Sequence, residues 1–105
     1  MGVFGTTYIG KYVHVDDLVQ VGHDVKIGDL SIIVAGTVIG GRTRIGENSY
    51  LSINSTIKNG LTLGKNCKVN MGAVVSKNVK DNETVTGNLA IEHTKFIANF
   101  KKTLE

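Results

Sequence analysis

Residues 15–50 read VDDLVQ, VGHDVK, IGDLSI, IVAGTV, IGGRTR and IGENSY, six successive units of six with Val or Ile opening each one. The same frame extends outward in both directions. Upstream lie VFGTTY and IGKYVH, starting at Val3. Downstream lie LSINST, IKNGLT, LGKNCK, VNMGAV and VSKNVK, ending at Lys80. The first position is Val, Ile or Leu throughout, and the fifth is Thr, Val, Ser, Cys or Ala everywhere except Leu61. The fourth is Gly or Asn at Gly36, Asn48, Asn54, Gly60, Asn66, Gly72 and Asn78, with Asp24 in another unit. A six-residue unit is too short to bury anything alone. Stacked, its first residue can point inward from a short strand, and its small fifth residue can fill the corner. Gly, Asn and Asp tolerate positive φ, so a tight turn belongs at the fourth position. Strand and turn at a fixed short period predict a solenoid of parallel strands.

Composition agrees. The 105 residues include 13 Gly, no Pro, no Trp, three Tyr and three Phe. No apolar run is long enough to span a membrane, and no signal peptide opens the chain. The single Cys67 excludes an internal disulfide and fits a reducing, cytoplasmic setting. One Cys and three scattered His give no zinc-ligand spacing, so no metal is expected. The net charge is +3, and its basic residues are dispersed without interleaved aromatics, which argues against nucleic acid. Such a bias suits an anionic small molecule or an acidic carrier protein.

After Lys80 the frame is lost at DNETVTGNLA. In the following IEHTKFIANFKKTLE, Phe96, Phe100 and Leu104 recur every fourth residue beside Ile97, while Lys95, Asn99 and Lys102 face away. This predicts an amphipathic helix that packs on the solenoid or caps it. The division expected is a solenoid over 1–88 and a helical tail over 89–105. The abrupt entry into a coil leaves strand edges uncovered, which suggests a trimmed chain or a protein lacking an N-terminal domain.

The repeat resembles that of the hexapeptide-repeat acyltransferases, whose all-β solenoids are left-handed parallel β-helices with three units per coil. The resemblance covers residues 3–80, and the handedness rests on it alone. Residues eighteen apart should then stack. One corner column holds Gly5, His23, Gly41, Asn59 and Lys77, the next Thr6, Asp24, Arg42, Gly60 and Asn78. The glycines leave room beside the His23 ring. His14, Ile32, Val34, Tyr50 and Lys68 are expected to face outward, the apolar ones forming a subunit interface. Family members are generally homotrimers with active sites between subunits.

The stretch VDDLVQVGHDVKIGD resembles the surroundings of the general base in UDP-3-O-acylglucosamine N-acyltransferases, and GVFGTTYIG resembles what precedes it there. A His followed by an acidic residue is similar to nucleotide-sugar N-acetyltransferases, which use acetyl-CoA. GAVVSKNVKDNETVTGN resembles the tail of many acetyltransferases, with Leu89 where Pro is usual.

The resemblance implies transfer of an acyl, preferably acetyl, group from acetyl-CoA or an acyl-carrier-protein thioester to an amino group of a nucleotide-linked sugar. His23 would be the general base, and the Gly41 backbone N–H the oxyanion donor. Asp24 would orient His23 or pair with Arg42 on the surface, a pair of little energetic value. Arg42, Asn59 and Lys77 would contact the donor's phosphates. His14 reads as packing or a subunit contact, His93 as solvent-exposed and Cys67 as core. The lipid A enzymes carry a second histidine where this chain has Gly60. That difference argues against the full chemistry of those enzymes; the other reading is a non-catalytic trimeric β-helix scaffold or binding module lacking its N-terminal substrate domain.

Overall fold

The computed structural model describes residues 6–87 and 90–104, with the side chain of Leu104 excluded. Gly5 and Leu89 therefore lie outside the described residues, as does the 88/89 division. Thirteen two-residue strands follow in chain order: β1 Tyr8–Ile9, β2 His14–Val15, β3 Gln20–Val21, β4 Lys26–Ile27, β5 Ile32–Ile33, β6 Val38–Ile39 and β7 Arg44–Ile45. They continue as β8 Tyr50–Leu51, β9 Thr56–Ile57, β10 Thr62–Leu63, β11 Lys68–Val69, β12 Val74–Val75 and β13 Thr84–Val85, and α1 spans His93–Leu104. Three parallel sheets result: β1-β4-β7-β10, β13-β11-β8-β5-β2 and β12-β9-β6-β3. Each strand lies beside the strand three units on, so the chain winds as a β-solenoid with three units per coil.

The six-residue frame explains each feature. The first residue of each unit points inward: Val21, Ile27, Ile33, Ile39, Ile45, Leu51, Ile57, Leu63, Val69 and Val75 are buried in one core. The sixth residue, its strand partner, faces out, as alternation along a strand requires. The fifth position carries buried hydroxyls with a repeated task. Ser31, Thr37, Thr43 and Ser49 donate to the carbonyls of Gly46, Ser52, Lys58 and Gly64 at 3.1–3.2 Å. Small hydroxyl residues thus give turn carbonyls one coil below a hydrogen-bond donor. The fourth position has positive φ in every unit from Tyr12 to Gly72, including Leu18 (59°), Leu30 (65°) and Arg42 (60°), where the residue type itself favours no turn.

The stacking interval is eighteen residues down to Val75, which sits below Ile57. The interval then changes. Val79 bridges Leu63, and Thr84 and Val85 pair with Lys68 and Val69, all sixteen residues apart. The turn after β12 is two residues short. Val79 consequently takes the first position of a further unit, with Asn82 (φ 62°) as its turn residue. The repeat therefore does not end at Lys80; it continues to Val85 in a shifted frame. Asn78, expected as a turn residue, lacks positive φ and instead accepts the Thr62 N–H at 2.9 Å.

Helix α1 forms, but not as a cap. Every helix residue whose side chain is described is exposed, and none joins the core. Phe96 and Phe100 stack only on each other, with ring centroids 6.3 Å apart. The apolar stripe read from the sequence exists without a solenoid surface beneath it.

Candidate functional site

The turns linking the third sheet to the first form one corner of the solenoid, and His23 lies there between β3 and β4. Its neighbour Asp24 occupies the left-handed turn position at φ 54°. That backbone swings the Asp24 carboxylate alongside the preceding ring, so Asp24 Oδ2 lies 3.0 Å from His23 Nδ1. The other oxygen, Oδ1, accepts the Thr6 N–H at 3.1 Å from the coil above. The bond with His23 contributes most to holding the Asp24 carboxyl below its ordinary range, followed by the Thr6 N–H, with smaller effects from the charges of His23 and Arg42. An ionised Asp24 accepts, so Nδ1 donates to it, and in the neutral ring that leaves the lone pair on Nε2.

One coil below, Gly41 lies against this ring. A Cβ on Gly41 would fall 2.8 Å from His23 Nε2 and 3.0 Å from Cδ2. The glycine does not leave space beside the imidazole, as the column suggested; the imidazole fills that space. Adjacent main-chain groups are engaged, Gly40 donating to the Ile57 carbonyl and Arg42 to that of His23. The Gly41 N–H has no acceptor among the described residues. An imidazole and a main-chain N–H without an acceptor among the described residues thus share one corner.

The remaining expected site residues separate into near and far. Arg42 lies below Asp24, yet no Asp24–Arg42 ion pair forms. Among the described residues the ion pairs are His14–Asp16, His23–Asp24 and Lys65–Glu47. Asn59 follows one coil below Gly41 and is exposed. Lys77 is displaced from the column, because it sits in the shortened turn after β12. It lies three coils from His23, about 14 Å at the usual strand spacing of about 4.8 Å. It lines a hollow of about 170 Å³ with Val75, Val79 and Val85.

A larger groove of about 610 Å³ lies on the second sheet and its turn, between Tyr50, Ser52, Lys68, Asn70, Met71 and Thr86, away from His23. The lining of that groove includes neither an imidazole nor an ion-paired base. His14, Ile32, Tyr50 and Lys68 do form one outward column. Val34 is not part of it; it begins the next turn and is half-buried. Cys67 is buried, its thiol donating to the Lys80 carbonyl, and desolvation pushes its pKa up. His93 is exposed on α1. Lys26 and Arg44, register partners on the first sheet beside the corner, were not singled out by the sequence reading. Their signal was available as sixth-position residues eighteen apart.

Two family models match consecutive stretches: the bacterial transferase hexapeptide (six repeats) over residues 6–41, and the hexapeptide repeat of succinyl-transferase over 42–77. A UDP-3-O-acylglucosamine N-acyltransferase from Caulobacter sp. (strain K31) is 35% identical over 86 residues, covering 82% of this chain and 25% of the relative. UDP-3-O-acylglucosamine N-acyltransferase 2 from Legionella pneumophila (strain Lens) is 41% identical over 90 residues, covering 86% and 26%. The chain thus spans about a quarter of the length of these curated relatives. Among solved structures, PerB from Caulobacter crescentus, in complex with CoA and GDP-perosamine, is 26% identical with a TM-score of 0.59, covering 81% of this chain and 50% of that one. Serine acetyltransferase from Neisseria gonorrhoeae, 24% identical with a TM-score of 0.74 over 82% of this chain and 39% of its own, shares the fold. Among the described residues no helix is long and apolar enough to cross a membrane. With both models matching in tandem across residues 6–77 and the eighteen-residue register running from β1 to β12, the chain belongs to the hexapeptide-repeat family.

Proposed function

We propose that this chain is the solenoid of an acyltransferase that moves an acyl group, preferably acetyl, from a thioester to an amino group on a nucleotide-linked sugar. The observation that carries this reading is the His23–Asp24 pair seated on Gly41. In the reaction the acceptor amine attacks the thioester carbonyl carbon, and His23 Nε2 takes the amine proton. The carbonyl oxygen becomes an oxyanion that the Gly41 N–H stabilises. Collapse of the tetrahedral intermediate breaks the C–S bond, and the imidazolium returns its proton to the departing thiolate. Asp24 keeps the Nδ1–H tautomer and supports the transient positive charge. Neutral imidazole suits this double duty near neutral pH.

The relatives' names support an amino sugar on a nucleotide as acceptor, and the CoA in the PerB complex supports acyl-CoA over a carrier protein. Arg42 and Asn59 lie within two coils of His23 and are suited to the donor's phosphates, with Lys77 as a remote contact. A homotrimer would set Ile32 and Tyr50 against a neighbouring subunit and close the open corner. The test is a thiol-release assay with acetyl-CoA and a panel of nucleotide-linked amino sugars, run beside the mass in solution. Turnover by a trimer that His23→Ala abolishes without altering fold or mass supports the reading. A fold and trimer indifferent to that substitution, with no turnover by the unaltered chain, would establish the scaffold instead.

A further inference from the structure

The outer face of the sheet β1-β4-β7-β10 carries, in register, Tyr8, Lys26, Arg44 and Thr62. All four are exposed, Tyr8 at 56%. Lys26 and Arg44 are direct neighbours across parallel strands, about 4.8 Å apart along the solenoid axis. Like charges so placed repel and destabilise a sheet. Neither has a carboxylate within ion-pair distance among the described residues. Lys58 and Arg42 stand on the adjoining corner with no ion pair either. The one acid there, Asp24, is committed to His23 and to the Thr6 N–H. Four cations are therefore gathered over three successive coils around the His23 corner, none of them in an ion pair, with a tyrosine ring at the upper end of the row.

We infer that this face is a nucleoside-diphosphate platform, with Lys26 and Arg44 flanking the diphosphate and Tyr8 stacking on the base. Arg offers a planar fork of donors to phosphate and Lys a point charge. An exposed aromatic ring is a base-stacking surface that tolerates any base. Thr62 adds a hydroxyl below Arg44. The order along the row, aromatic ring then two cations, is the order of base and diphosphate in such a ligand. The inference rests on the transferase reading for its ligand class: the donor CoA and a nucleotide-linked acceptor both contain a nucleoside diphosphate. The platform would hold that end of one of them while its reactive end reaches His23.

The test is calorimetric titration of the full 105-residue chain with UDP, ADP and inorganic pyrophosphate, at low and moderate salt. The variants are Lys26→Ser with Arg44→Ser, and Tyr8→Leu; none removes a buried contact, and thermal melts confirm the fold. The double variant should weaken nucleotide and pyrophosphate binding at least tenfold and flatten the salt dependence. Tyr8→Leu should weaken UDP and ADP while sparing pyrophosphate. Tighter UDP binding assigns the platform to the acceptor, tighter ADP binding to the donor. No binding of UDP or ADP by the unaltered chain, or variants that bind as it does, would overturn the inference. The two readings fail separately: turnover with no effect of the double variant sinks the platform alone, whereas variant-sensitive binding without turnover sinks the transferase alone.

Discussion

The imidazole of His23 rests on the Cα of Gly41, so that a single methyl group at residue 41 would intrude to 2.8 Å from Nε2. The intrusion meets only a side chain. Gly22, one coil above Gly41, differs: a Cβ there would meet the Gly41 main chain, 2.6 Å from its nitrogen. Gly41→Ala should therefore displace the ring and leave the coils stacked, whereas Gly22→Ala should separate them. The expected result is a Gly41→Ala chain with a near-normal melting temperature and kcat lowered about a hundredfold, within the range that misplacing a general base produces. Gly22→Ala should lower the melting temperature. A Gly41→Ala chain with undiminished turnover would remove His23 from the reaction.

The His23–Asp24 bond also fixes a titration. Bonding to His23 holds the Asp24 carboxyl below its ordinary 3.8. A carboxylate whose folded pKa is depressed stabilises the fold at pH values above the unfolded value. That contribution fades as the pH falls through the lower folded value. The Asp24 carboxyl carbon, followed by NMR, should titrate below 3.8 and move back toward it in His23→Ala. An unchanged midpoint would mean that the two side chains do not interact in solution.

The strands and core were readable because position in the unit alone decides whether a residue points in or out: Val21 to Val75 follow it without exception. The slip after β12 was harder to see. Val75 and Val79 fit the original frame as first and fifth residues, but Val79, Asn82 and Val85 equally fit a new frame as first, fourth and next first. Only the failure of Asp81 to be apolar separates the two. The His23–Asp24 bond follows from the turn conformation of Asp24, which the frame predicts. Adjacent residues ordinarily diverge, and it is φ 54° that brings these two together. The surroundings of α1 were not legible, because an apolar stripe specifies that something covers it and not what. The Lys26–Arg44 row was legible through the eighteen-residue interval, as two cations at the sixth position of units three apart.

Leu18 shows the repeat overriding residue preference. It holds φ 59° and is 90% exposed, so its side chain contributes no burial to offset the left-handed backbone. Such a conformation costs an ordinary L-residue roughly 1–2 kcal/mol, and Asn or Gly less. Leu18→Asn should therefore stabilise the chain by about 1 kcal/mol in denaturant unfolding, with the slope unchanged. Destabilisation would show that the leucine is covered in the assembled protein.

Thr37 tests the role assigned to the buried hydroxyls. Its side chain is fully buried, and its Oγ1 lies 2.8 Å from the Val34 carbonyl, 3.1 Å from the Ser52 carbonyl and 3.3 Å from Ser55 Oγ. Thr37→Val keeps the shape and removes the hydroxyl. If fifth-position residues were chosen for size alone, valine would be harmless or better, as Val19 and Val25 occupy the same position in the upper coils. If the hydroxyl is needed to satisfy the turn, the Ser52 carbonyl loses its shorter donor and keeps only the Ser55 N–H. The cost is then about 1–3 kcal/mol. We expect the destabilisation, together with faster amide exchange at Ser55, whose N–H bonds the Ser52 carbonyl at 3.3 Å. A Thr37→Val chain as stable as the original would reduce the fifth position to a rule about volume.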